Sequence, residues 1–182
     1  MQLVVYMDAA VKAEQRKYPD AEVKPAGIFY YNVKDPMLQK EMEDDLDGLD
    51  PEIFKKLKMN GLVMADRDVI EGLDKTTISL PLSYTTKGEL RKGSSVADEQ
   101  GFALLGAYVK KKITDIREAI LDGNAEVSPY EMGNRNACTY CPYQGTCGFD
   151  RKIPGYEFRR LKQFADDEIW KAFAKEVDDE WE

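Results

Sequence analysis

All three cysteines of this 182-residue chain stand within ten positions, as Cys138-x2-Cys141-x5-Cys147. A C-x-x-C spacing lets two thiolates face one ion. Pro142 and Gly145 lie among the cysteines, with Gly148 just after them, and so many turn residues predict no regular structure over 138–147. Tyr140, Tyr143 and Phe149 stand where they can wrap a sulfur-rich site in apolar surface. On spacing alone four outcomes stay open: three ligands of an iron–sulfur cluster, zinc with a fourth ligand from Asp, Glu or another chain, a redox C-x-x-C, or cysteines that are unligated or disulfide-paired. The chain has no histidine. That removes His-ligated zinc, His-based triads and the commonest general base. The odd cysteine count predicts a site incomplete within these residues.

Formal net charge is −8, which argues against a simple basic nucleic-acid-binding module. The charge is uneven. Residues 135–163 hold six basic residues against Asp150 and Glu157, a local +4, so the remaining residues carry −12. Within that basic stretch Arg151, Lys152, Arg159 and Arg160 are candidates for phosphate contact, with ordinary solvated charge as the competing role. Apolar residues make up 43% of the chain. No apolar run approaches the roughly 20 residues that span a bilayer, and residues 1–11 lack the basic start and cleavage site of a secretory signal. The expectation is a cytoplasmic protein with no membrane partner.

The elements follow from periodicity. Leu3, Met7, Ala10, Val11 and Glu14 predict a helix over 2–17, on which Gln2 and Tyr6 share a face. It starts abruptly with no capping residue before it, as though cut from something longer. Ile28 to Val33 reads as a strand buried on both faces. The acidic stretch 35–58, with Glu43-Asp44-Asp45 and Asp47, reads as a solvated excursion. Asp66 is placed to cap a short helix over 67–73. Ile78, Leu80, Leu82 and Tyr84 alternate with Ser79, Pro81 and Ser83 as a half-buried strand, an edge or a bulged one because Pro81 cannot donate to a ladder, turned at Lys87-Gly88 into a partner near 89–92. Ser95, with Asp98 three residues on, predicts the cap of a long helix carrying Phe102, Leu105, Val109, Ile113, Ile116 and Ile120 and stopped by Gly123. A last helix is expected over about 166–180, with Ile169, Trp170, Phe173 and Val177 inward. The aromatic set Phe102, Tyr108, Trp170 and Phe173 reads as core. The fold class is α/β (α+β), helices packed on a small mixed sheet.

Three stretches carry a family resemblance. Gln2-Leu3-Val4-Val5-Tyr6-Met7-Asp8-Ala9-Ala10 looks like a Q-x-x-x-Y helix; Pro25-Ala26-Gly27-Ile28-Phe29-Tyr30-Tyr31 is followed by Lys58-Met59-Asn60-Gly61-Leu62; and Ala137-Cys138-Thr139-Tyr140-Cys141-Pro142-Tyr143 closes at Cys147-Gly148-Phe149-Asp150. Together, over about 1–163, they resemble the C-terminal part of AddB-type subunits of bacterial helicase–nucleases. Those subunits are RecB-like PD-(D/E)xK nucleases with an iron–sulfur cluster. CRISPR-associated exonucleases share the cysteine knuckle, but the long 35–95 stretch favours the AddB type.

The resemblance implies a partial PD-(D/E)xK core. Residues 1–34 would be the post-catalytic helix and strand, 35–95 an insertion, 96–165 the long helix and cysteine knuckle, and 166–182 the terminal helix. It implies a 4Fe-4S cluster held by Cys138, Cys141 and Cys147, with a fourth cysteine upstream, and Mg2+ at carboxylates that also lie upstream. Gln2 and Tyr6 would support that active site, and the cluster would pin the C-terminal segment onto the nuclease core. Implied partners are DNA and an AddA-type protein, in the processing of double-strand breaks. No D/E-x-K pair with a preceding metal-site Asp is convincing here, and Asp66-Arg67-Asp68 reads as a helix cap. The expectation is therefore a piece of an exonuclease that is inactive by itself. A metal-stapled DNA- or protein-binding module without chemistry is the other reading, motivated by the acidic net charge.

Overall fold

A computed structural model of the chain describes residues 1–31, 33, 53 and 56–178. The acidic run at 43–47 and the expected helix end beyond 178 lie outside the described residues. The chain divides into two units, 1–109 and 110–182.

The first unit begins with α1, Gln2–Lys17, whose Val4 is buried and which packs on β1, Gly27–Tyr30. Pro19 follows its end, where a helix cannot readily continue. Gln15 then organises the link to β1. Its Nε2 donates to the carbonyls of Tyr18 at 3.1 Å and Ala21 at 2.8 Å, and its Oε1 accepts from the Val23 amide.

β1 pairs antiparallel with β2, Asn60–Met64, and β2 pairs parallel with β3, Val96–Ala97. Gly61 sits opposite Phe29 with φ +153°, and a Cβ there would stand 2.0 Å from the Ile28 carbonyl oxygen. Only glycine fits so close an approach. Asp66 caps α2, Arg67–Leu73, as its spacing predicts. Its Oδ1 accepts from the amides of Asp68 at 2.9 Å and Val69 at 3.2 Å. Val63, Ile70, Leu80 and Leu82 form the buried core of this unit, with Phe29, Met59, Tyr84, Leu90 and Val96 packed against them.

Three expectations for this unit are corrected. The run Ile28 to Val33 is not buried on both faces: among the described residues β1 lies at the sheet edge, and Tyr30 is 64% exposed. Leu80 and Leu82 are buried in alternation, but 78–84 is not a regular strand. Pro81 lacks a donor, and the Leu82 amide turns back to the Leu80 carbonyl at 2.8 Å, a γ-turn that breaks the ladder. The turn at Lys87-Gly88 does form, with Tyr84 bridging Leu90. Finally, Ser95 is no helix cap. Its hydroxyl donates to the Gly61 carbonyl at 2.5 Å beside β3. Asp98 caps instead, its Oδ1 accepting from the Gly101 amide at 2.8 Å.

The helix so started is α3, Glu99–Leu121, and the division between the two units falls within it. Phe102 and Val109 are buried, whereas Ile113, Ile116 and Ile120 are exposed, so the predicted apolar stripe is covered only in its first half. Gly123, at φ +70°, closes α3 as expected. The Asn124 amide reaches back to the Ala119 carbonyl, and the Gly123 amide to that of Ile120.

The second unit has its own sheet. β4, Tyr130–Met132, pairs antiparallel with β5, Arg135–Asn136, and parallel with β6, Arg159–Arg160. Gly133, at φ +58°, allows the tight β4–β5 turn. A one-turn helix α4, Gln144–Cys147, and α5, Asp166–Asp178, complete it. On α5, Trp170 and Phe173 meet edge to face at 5.9 Å, and Ile169 and Val177 are half-buried with them. The expected class therefore holds among the described residues: helices with small mixed sheets, each combining one antiparallel and one parallel pairing.

Candidate cysteine clasp and the Gln2–Tyr6 helix

The three cysteines lie on the excursion between β5 and β6, and the parallel pairing of Tyr130 with Arg159 closes it into a clasp. Local hydrogen bonds shape the entry. Asn136 Oδ1 accepts from the Cys138 amide at 2.9 Å, the Thr139 amide at 3.0 Å and the Thr139 hydroxyl at 3.1 Å. This Asx turn is followed by a second turn, the Cys141 amide donating to the Cys138 carbonyl at 3.2 Å. Gln144 Nε2 also donates to that carbonyl. The Cys147 amide bonds the Tyr143 carbonyl at 2.9 Å, and Gly148, at φ +69°, ends the turn. The segment is thus not free of regular structure, because residues 143–147 close one helical turn.

Cys138 and Cys141 are half-buried, Cys147 is exposed, and all three are free thiols. Among the described residues no three His, Cys, Asp or Glu side chains form a group that could hold a metal ion. Thiols are the donor type an iron–sulfur cluster takes, but this arrangement does not gather the three cysteines as one ligand set. The expected aromatic shell is corrected in part. Tyr140 is 96% and Tyr143 71% exposed. Phe149 instead packs against Tyr156 at 5.6 Å and Phe158 at 5.0 Å, giving the clasp a small apolar centre.

The four basic candidates separate. Arg151 and Arg160 line one cavity of about 530 Å³, together with Glu131, Tyr156, Glu157 and Phe158. Lys152 and Arg159 are exposed and do not line it. Arg159 and Arg160 are neighbours on a strand, so their side chains leave opposite faces. The cavity is not legible in the sequence, since it requires the pairing of 130–131 with 159–160.

In the first unit, Gln2 and Tyr6 come together as their spacing implies. Gln2 Nε2 donates to the Tyr6 hydroxyl at 2.8 Å. Tyr6 also lines a groove of about 430 Å³ between α1 and the 23–29 segment. Glu22-Val23-Lys24 has D/E-x-K spacing, which sequence reasoning passed over, but it precedes β1 in a link. The Lys24 ammonium lies 3.1 Å from Glu22 and 3.4 Å from Glu99. Bonding first to Glu22 and then to Glu99 raises its pKa, so the lysine is held charged.

With the Q-x-x-x-Y helix, the edge strand behind it and the cysteine clasp in view, comparison with known proteins settles the class. The family model described as the PD-(D/E)XK nuclease superfamily matches residues 1–148, and the chain belongs to that family. The chain is similar to the B-type subunit of the ATP-dependent helicase/deoxyribonuclease of Lachnoclostridium phytofermentans, 38% identical over 97% of the chain. It is also similar to the proteins of the same name from Thermoanaerobacter sp. strain X514, 35% identical over 97% of the chain, and Bacillus velezensis, 34% identical over 99%. In each case it spans 16% of the relative's length. No helix among the described residues is long and apolar enough to cross a membrane.

Proposed function

We propose that this chain forms part of the nuclease domain of a helicase–nuclease subunit that degrades DNA in double-strand-break processing, working in the cytoplasm with an AddA-type partner. The observation that carries the reading is the Gln2–Tyr6 pair at the head of α1, in a chain whose family and relatives are nucleases by name. In this reading residues 1–34 are the post-catalytic helix and strand, 35–95 are an insertion, and 96–165 are the long helix and cysteine knuckle. The Gln2 amide and Tyr6 hydroxyl order groups at the active site. No D/E-x-K pair with a preceding metal-site Asp is convincing in the sequence, so this chain by itself is expected to be inert, and Mg2+ would act at carboxylates of the whole subunit.

Cys138, Cys141 and Cys147 would hold a 4Fe-4S cluster as three of its thiolates. Ligated by these three thiolates, a cluster would cross-link the segment and contribute folding energy. The turns around Cys138 and Cys141 support the role, because they present both cysteines from one short loop.

The test is degradation of linear DNA by the whole subunit with its partner, with and without Mg2+. Mg2+-dependent degradation is expected, and none from the 182-residue chain alone. A whole subunit with an intact D/E-x-K pair that leaves DNA uncut overturns the proposal. For the cluster, iron and sulfide should be found by elemental analysis of anaerobically purified protein. Stoichiometric zinc without iron sinks that part.

A further inference from the structure

The second unit holds the cavity of about 530 Å³ beside the clasp, a size typical of small-ligand sites. Its chemistry is mixed in a particular way. Arg151 and Arg160 bring guanidinium groups that stay charged at any physiological pH and match phosphate geometry. Glu131 and Glu157 bring carboxylates, which only accept and so call for N–H donors. Tyr156 and Phe158 bring ring faces. Both rings rest on Phe149, at 5.6 and 5.0 Å, and the Arg151 guanidinium lies 5.7 Å from the Phe158 centroid. Those contacts hold the rings in place before any ligand arrives, so little side-chain entropy is left to lose on binding.

A site for phosphate alone has no use for two carboxylates. An apolar ligand has no use for four charged groups. A group with an anionic end, a flat ring and exocyclic N–H donors satisfies these six side chains, with Ile153 and Pro154 adding apolar wall beside the ring, and a nucleotide is such a group. The ring can reach Tyr156 only if it is unstacked from its neighbours, which selects a single strand over a duplex.

We propose that this cavity takes one nucleotide of a DNA single strand. Its phosphate lies toward Arg151 and Arg160, its base over Tyr156, and the base's exocyclic amine toward Glu157. The inference deepens the proposed function, since it rests on DNA being the substrate. The Arg160–Glu131 contact, 3.7 Å between Nε and Oε2, is the resting arrangement that an incoming phosphate exchanges.

The experiment is fluorescence anisotropy of the 182-residue chain at low salt with three labelled strands of equal length: oligo-deoxycytidine, oligo-deoxythymidine and an abasic deoxyribose-phosphate chain. Stacking of one base is worth about 1–3 kcal/mol, so the cytidine strand should bind roughly 5- to 150-fold more tightly than the abasic chain. Arg160→Ala should weaken binding of every strand and lower the salt slope by about one. Its side chain is 81% exposed, so the fold is not at stake, and an unchanged melting transition verifies that. Glu157→Gln should reduce the preference for cytidine over thymidine. Equal binding of the abasic chain, an Arg160→Ala variant that binds as tightly as wild type, or no binding of any strand overturns the pocket. If the whole subunit still cuts DNA in that case, the nuclease reading survives without it.

Discussion

At Gly61 the chain has no room for a side chain, since a Cβ would stand 2.0 Å from the Ile28 carbonyl oxygen at a φ of +153°. Gly61→Ala must therefore separate β1 from β2. A loss of about 3 kcal/mol is expected in chemical denaturation, of the order of a strained backbone combined with broken ladder bonds. Asp74 offers a pH-dependent counterpart. Its carboxylate is held at about pKa 2, first by the Thr76 hydroxyl and then by the amides of Ser79 and Thr76, with partial burial opposing them. A carboxylate whose folded pKa is depressed stabilises the fold above its unfolded value, near 3.9, and loses that contribution as pH falls through about 2. Asp74→Ala should cost about 1 kcal/mol at pH 7, allowing for solvent screening. Wild type and variant should converge as the pH approaches 2; a gap that stays constant from pH 7 to pH 2 would disprove the assignment. The Asp66 cap was readable from sequence because an N-cap bond spans only three residues. Gly61 was not, because its constraint comes from a strand more than thirty positions away.

Among the elements, α3 separates local from tertiary signals. Its Gly123 stop and its apolar spacing were both legible, since each depends on neighbours within a turn or two. Its starting point was not. Ser95 and Asp98 are both good capping residues, and the choice between them was made by β3, which keeps Ser95 bonded to Gly61. Asp98→Ala should therefore destabilise by about 1 kcal/mol and speed amide exchange in the first turn of α3. Ser95→Ala should leave that turn protected and loosen β2 and β3 instead. The reverse pattern in hydrogen exchange would restore Ser95 as the cap. Likewise the alternation at Leu80 and Leu82 correctly marked core residues, but strand geometry also needs a partner at every rung, and Pro81 denies one.

For the whole molecule the decisive prediction concerns the clasp. Cys141→Ala in the whole subunit to which the chain is assigned should abolish iron retention and lower thermal stability, because structural metal binding is folding free energy. Unchanged iron content or an unchanged melting temperature would show that Cys141 is no ligand. Among the described residues of 110–178 few apolar side chains are well covered: Ile113, Ile116 and Ile120 remain exposed, and the aromatic contacts are Phe149 with Tyr156 and Phe158 and Trp170 with Phe173. A unit with so small a centre gains most from a cross-link.

From sequence alone came four of the five described helices, all but the turn at 144–147, together with the Asp66 cap, the Gln2–Tyr6 pairing and the three cysteines with their donor chemistry. All of these are written in spacings of a few residues, where backbone geometry leaves little choice. Tertiary structure alone decided that β1 is an edge, that Ser95 serves a strand, that Tyr140 and Tyr143 turn outward while Phe149 turns in, and that Arg151 and Arg160 share a cavity with Glu131. Each of those depends on which distant backbone supplies the neighbouring hydrogen bonds, as the pairing of Tyr130 with Arg159 does for the clasp, and no local spacing encodes that partner.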